Sequence, residues 1–77
     1  MTTLKVKTLN SVYELKGNTL YRNGEIYTDQ LFLHRYPVKD YGWTLYYRRD
    51  GNERMIITSN VVEIEHIEQE ETNENEY

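Results

Sequence analysis

No cysteine is present, the four glycines stand singly, and no long apolar run occurs anywhere in the 77 residues. Each absence closes a class of function. Without cysteine, and without a zinc-type cluster of ligands, neither disulfides nor a structural metal can supplement the core. Glycines isolated at turns build no phosphate-cradling loop. No stretch approaches the roughly 20 apolar residues of a membrane span, and the opening Met-Thr-Thr-Leu-Lys-Val-Lys is too polar for a signal peptide, so the expectation is a soluble, cytoplasmic protein. A chain this short forms one domain at most and buries only about 60 % of the surface that its unfolded form exposes. Stability is therefore marginal, and a homodimer or higher homo-oligomer is the natural supplement.

Catalytic residues are also scarce. Ser11 and Ser59 are the only serines, and both sit at predicted turns, where a hydroxyl commonly bonds to nearby backbone. His34 and His66 are the only histidines and read as ordinary strand residues. The spacing of Glu63, Glu65, His66 and Glu68 matches no metal motif, and a solvated acidic strand end accounts for it. The expectation is a protein that is not an enzyme, with no cofactor and no metal.

What the chain does contain is charge of two kinds and an excess of tyrosine. Residues 1–66 carry nine Lys or Arg against eight Asp or Glu, a net +1, whereas residues 67–77 carry five Glu and no base, a net −5. The acidity is thus all in the last eleven residues, which have almost nothing to bury and read as a disordered tail, leaving 1–66 as a single small β domain. Such a tail solubilises, and it can also serve as a contact arm for a basic surface. Eight tyrosines, seven of them on the nearly neutral body, suit recognition, because tyrosine combines a large rigid area with a polar tip. They also suit strands.

The strongest local signal lies at residues 42–58, two strands joined by Asp50-Gly51. With those two as the loop, Arg49 faces Asn52, Arg48 faces Glu53, Tyr47 faces Arg54, Tyr46 faces Met55 and Leu45 faces Ile56. Alternation then puts Trp43, Leu45, Tyr47, Arg54 and Ile56 on a core side. Thr44, Tyr46, Arg48, Glu53, Met55 and Ile57 fall on the other. A second hairpin turns at Asn23-Gly24 and pairs Arg22 with Glu25, Tyr21 with Ile26, and Leu20 with Tyr27. Leu4–Leu9 alternates with Leu4, Val6 and Thr8 on one side, and Val12–Lys16 places Tyr13 and Leu15 together. Leu31–Tyr36 reads as a strand ended or pushed to an edge by Pro37. Ser59-Asn60 reads as a turn before a last strand at Val61–Glu65. The similarity of Asn10–Leu15 to Ser59–Ile64 suggests that the first and last strands are neighbours. The fold class is all-β: a small SH3-like barrel or a compact antiparallel meander of five to six strands, followed by the acidic tail.

Arginine and tyrosine recur side by side, as Tyr21-Arg22, Arg35-Tyr36 and Tyr46-Tyr47-Arg48-Arg49. A planar cation beside a ring can grip a phosphate while stacking a base. The candidate partner- or ligand-binding residues are Tyr46, Arg48, Arg49, Met55, Tyr21, Arg22, Arg35 and Tyr36. Surface ion pairs of Arg48 with Glu53 and Arg22 with Glu25 are an equally simple use of the same residues. Nucleic acid is disfavoured as a partner, since its binding usually calls for a clear basic excess.

The segments Thr8-Leu9-Asn10-Ser11-Val12-Tyr13-Glu14 and Thr58-Ser59-Asn60-Val61-Val62-Glu63-Ile64 together resemble a pattern of small phage and prophage proteins of Gram-positive bacteria, departing from it where Asn60 stands in place of a usual proline. No catalytic residue carries over. The resemblance implies an accessory protein acting in the cytoplasm of a bacterial host cell, where compact phage proteins block an immune protein or sequester its nucleotide signal. Two functional expectations result: an inhibitor that binds a host defence protein, and an oligomeric sponge that holds a nucleotide between Arg and Tyr side chains. A nucleic-acid-binding small barrel ranks below both.

Overall fold

Two tight turns set the register of much of the sheet. In the structure, a computed structural model that describes residues 2–68, Asn23 and Gly24 have φ of 51° and 87°, and Asp50 and Gly51 have φ of 53° and 80°. Left-handed backbone at both loop positions is the type I′ geometry that matches strand twist. The strands are β1 (Thr2–Thr8), β2 (Val12–Lys16), β3 (Thr19–Arg22), β4 (Glu25–Thr28), β5 (Leu31–His34), β6 (Gly42–Arg49) and β7 (Asn52–Glu68). The β6–β7 ladder pairs Arg49 with Asn52, Arg48 with Glu53, Tyr47 with Arg54, Tyr46 with Met55 and Leu45 with Ile56, the register that the turn dictates.

All seven strands form one antiparallel sheet in the order β4-β3-β2-β1-β7-β6-β5. The expected all-β class is therefore realised as a meander, of seven strands and not the five to six expected, with β1 beside the last strand as anticipated. Its two ends, β4 and β5, are separated in the chain only by Asp29 and Gln30. Since β4 and β5 are each antiparallel to strands of the same sense, they run in one direction, as two halves of a kinked strand. The kink is tied to both flanks: the Leu31 N–H donates to the Asn18 carbonyl at 3.1 Å, and the Arg48 N–H to the Gln30 carbonyl at 3.0 Å. The sheet thus coils on itself, and the Tyr27 ring, from β4 at one end of the order, meets the Tyr47 ring, from β6 next to the other end, edge to face at 5.7 Å.

The inner side of this coil is the core: Leu4, Val6, Tyr13, Leu15, Leu20, Leu31, Trp43, Leu45, Tyr47 and Val61, with Ile56 and Ile64 packed against them. Burying one such aliphatic side chain stabilises by about 1.5–3 kcal/mol. The exposed ion pairs Lys7–Glu63 (3.3 Å) and Arg48–Glu53 (3.7 Å) contribute about 0–1 kcal/mol each. Apolar burial therefore decides the fold.

Two expectations are corrected. Leu20 pairs with Thr28 and not with Tyr27, because Tyr27 is an extra residue on β4, a bulge that leaves no mark in composition. Ser59-Asn60 is not a turn, since β7 runs unbroken for 17 residues, pairing with β6 through 52–60 and with β1 through 61–68. The polar pair is satisfied without reversing the chain. The Leu9 N–H donates to the Asn60 carbonyl at 3.1 Å, the Asn10 N–H to Ser59 Oγ at 3.2 Å, and Thr58 Oγ1 to the Ser59 carbonyl at 2.7 Å. Register shifts flank this point on both ladders, and such irregularities bend a strand, so β7 changes partners there. Pairing continues to Glu68, and the rest of the acidic tail expected at 67–77 lies outside the described residues.

Candidate functional site

Alternation along β6 and β7 sends Trp43, Leu45 and Tyr47 inward and leaves Thr44, Tyr46, Met55 and Ile57 outward. Met55 is 53 % exposed and Ile57 63 % exposed, a large apolar outlay for a chain this small. The segment after β5 builds a wall beside them. Its start is pinned by the Arg35 carbonyl, which accepts hydrogen bonds from Trp43 Nε1 at 2.7 Å and from His34 Nδ1 at 2.9 Å. Its end is pinned to β7, where the Asp40 N–H donates to the Val61 carbonyl and the Val61 N–H to the Tyr41 carbonyl, each at 2.8 Å. Pro37 is buried between these anchors, and Val38 and Tyr41 are held out on the rim. The result is an open groove of about 770 Å³ whose lining includes Arg35, Tyr36, Tyr41, Tyr46, Met55 and Ile57.

The sequence-based candidates divide between several places. Arg35, Tyr36, Tyr46 and Met55 come together in the groove. Arg48 lies toward the hairpin tip, paired with Glu53 and stacked over the Phe32 ring at 4.7 Å from its centroid. Arg48 and Arg49 line a second, 390 Å³ cleft at the kink, with Tyr27, Asp29 and Asp50. Tyr21 and Arg22, on β3, line neither the groove nor the kink cleft. Lys16 lies over the Tyr21 ring at 5.0 Å, and Arg22 Nε donates to Ser11 Oγ at 3.4 Å. The arginine–tyrosine set is thus dispersed over the molecule.

Five groove residues were not among the candidates: Val38, Tyr41, Gly42, Thr44 and Ile57. Thr44 and Ile57 were legible from alternation alone, as outward neighbours of Tyr46 and Met55. Val38 and Tyr41 carried no signal, since their placement depends on the hydrogen bonds between the loop and β7.

At one end Tyr36 stacks on His66, with centroids 5.8 Å apart and planes 15° from parallel, and its hydroxyl lies 3.0 Å from His66 Nε2. His66 is thereby engaged with a ring, and Glu63 with Lys7. Among the described residues no group of three or more His, Cys, Asp or Glu is placed to hold a metal ion, and no helix is long and apolar enough to cross a membrane.

The kink cleft has one electrostatic feature. The Tyr27 phenol is held above its ordinary pKa of 10.0, first by its hydrogen bond to Tyr47, then by partial burial and the neighbouring phenol, with Arg22 opposing. Folding favours the neutral phenol, so its contribution is fully present below pH 10 and is lost as pH rises through the higher folded-state value. Tyr27→Phe is expected to shrink the alkaline loss of stability, measured as the urea midpoint between pH 9 and 11.5. An unchanged alkaline limb assigns that loss to other groups.

These observations define a class: an all-β domain built of one coiled antiparallel sheet, carrying an exposed aromatic and aliphatic groove on its outer face. No protein-family model, no curated protein and no solved structure matches the chain.

Proposed function

We propose that the chain is a non-enzymatic binding protein that engages a protein partner through the outer face of β5, β6 and the first half of β7. The observation that carries this reading is the groove itself, where tyrosine, methionine and isoleucine lie open to solvent around one arginine, a composition typical of the centre of protein interfaces. In the phage setting that the sequence pattern implies, the partner is a host defence protein, and binding blocks it. The groove-lining aromatic residues act as anchors, and Arg35 at its margin sets orientation.

A nucleotide sponge is the second reading, favoured by one observation: Arg35 shares the groove with Tyr36 and Tyr46. One guanidinium per protomer is little for a phosphate ligand, so this reading requires arginines from neighbouring copies. Immobilised protein is expected to retain a host protein from a susceptible bacterial lysate. Tyr46→Ala combined with Met55→Asp is expected to abolish that capture while leaving the far-UV circular dichroism unchanged. Full retention by the double variant would move the interface off this face. Calorimetry with cyclic and ADP-ribose-type nucleotides checks the second reading, and an absence of heat and of thermal shift eliminates it.

A further inference from the structure

The outer face is unusually apolar for so small a chain, and it carries charges of both signs. Leu33, Tyr36, Val38, Tyr41, Met55 and Ile57 are each between 53 % and 67 % exposed, and Phe32 adds 44 %. With full areas on the order of 200 Å² apiece, these residues present roughly 700 Å² of surface, most of it apolar. That matches or passes the largest patch of a typical monomer, about 300–600 Å², and approaches the roughly 800 Å² that each partner contributes to a standard interface.

Two opposite charges lie at opposite ends of this face. Arg35 is held at one end, its N–H donating to the Thr44 carbonyl. Glu53 is at the other, beside Arg48, four residues and about 13 Å further along β6. Arg35 is on the β5 side and Glu53 on the β7 side, so the line joining them crosses the face diagonally. A two-fold axis lying in the face, perpendicular to that line at its midpoint, places Arg35 of each copy opposite Glu53 of the other. The same axis passes close to Tyr46 and Met55, which face each other across the ladder, and so buries the apolar centre. Self-complementarity of this kind, where residue i meets j and j meets i, is what a closed two-fold dimer demands. The Arg48–Glu53 contact at 3.7 Å, with both side chains at least half exposed, leaves room on the carboxylate for a second guanidinium.

We propose that a second copy of this chain occupies the outer face, forming a two-fold dimer held by Tyr46 and Met55 at its centre and by two Arg35–Glu53 pairs at its ends. The proposal rests on the reading of this face as a binding surface and names its resident occupant in the free protein; a host partner then competes with the second copy.

Sedimentation equilibrium on the full chain tests it with four variants, each checked for unchanged circular dichroism. The wild type is expected to dimerise at micromolar concentration, and Met55→Asp to be monomeric. Arg35→Glu and Glu53→Arg are each expected to weaken association at least tenfold, and the double variant to return within about threefold of wild type, because it rebuilds both pairs with signs exchanged. A wild type that stays monomeric at several hundred micromolar overturns the proposal. So does a dimer indifferent to Met55→Asp, or one that the double exchange does not rescue. Partner capture is read separately: a monomer that still retains a host protein in a Tyr46-dependent manner overturns the dimer and leaves the binding function standing, whereas a rescued dimer with no partner does the reverse.

Discussion

Trp43→Ala is expected to lower the free energy of unfolding by about 3–5 kcal/mol. Trp43 is 1 % exposed and is the largest side chain in the core. Its ring meets Tyr13 edge to face at 6.2 Å and His34 at 5.8 Å, joining β2, β5 and β6 across the inside of the coiled sheet. Truncation leaves a cavity bounded by strands that cannot collapse without breaking ladders. It also removes the indole N–H that holds the Arg35 carbonyl at 2.7 Å, and with it an anchor of the groove wall. A domain of this length has a total stability of about 4–12 kcal/mol, so the loss takes a quarter or more of it. Urea titration followed by far-UV circular dichroism measures the effect, since the only tryptophan is the residue removed. A change below about 1 kcal/mol would mean that the core closes around the gap, and the ring would then not be the link between the two ends of the sheet.

The parts of this architecture that local chemistry controls were legible, and those that depend on the closed coil were not. Asp50-Gly51 fixed five cross-strand pairs, because backbone at positive φ in both loop residues permits one count outward from the turn. Alternation then separated Trp43, Leu45 and Tyr47 from Tyr46 and Met55, and so exposed half of the groove. The Ser59-Asn60 pair misled for a physical reason: hydroxyl and amide side chains signal turns because they satisfy backbone locally, and here Leu9 and Asn10 from another part of the chain bond to the same two residues. Tyr27 shows the same limit. As a bulged residue it meets Tyr47, from the far end of the sheet, and no period of two along β4 contains that partner. The arginine–tyrosine doublets were visible as doublets, but adjacency in sequence does not say which doublets share a surface: Arg35-Tyr36 lines the groove and Tyr21-Arg22, on β3, does not.

Gly42→Ala is expected to destabilise by about 2–3 kcal/mol, although the position is only half-buried. A Cβ at Gly42 would lie 2.7 Å from the Thr58 carbonyl oxygen and 2.8 Å from Ile57 Cγ2. The first of these is backbone and cannot rotate away, so β6 must separate from β7 at the place where β7 leaves it for β1. Pairing there is already irregular, stepping from Gly42–Asn60 to Thr44–Ile57. The Trp43 N–H donates to Thr58 Oγ1 at 3.0 Å inside that step, which fixes how closely the two backbones approach. Glycine is thus required by closeness and not by dihedral angle, in contrast to Gly51, whose φ of 80° leaves open space around an added Cβ. The double variant Gly42→Ala with Ile57→Ala separates the two contacts. Ile57 is largely exposed, so its truncation alone costs little, and in the double variant it relieves the clash with Cγ2 but not that with the Thr58 oxygen. Partial recovery is expected, a coupling of about 0.5–1.5 kcal/mol in a double-mutant cycle. Full recovery would show that the backbone yields freely at this corner, and none that the carbonyl contact carries the whole cost. Because Gly42 and Ile57 also line the groove, the recovered double variant should fold yet have lost the Ile57 side chain from the binding face. Stability and partner capture then part company in a single protein, which they cannot do if the groove is only a by-product of the fold.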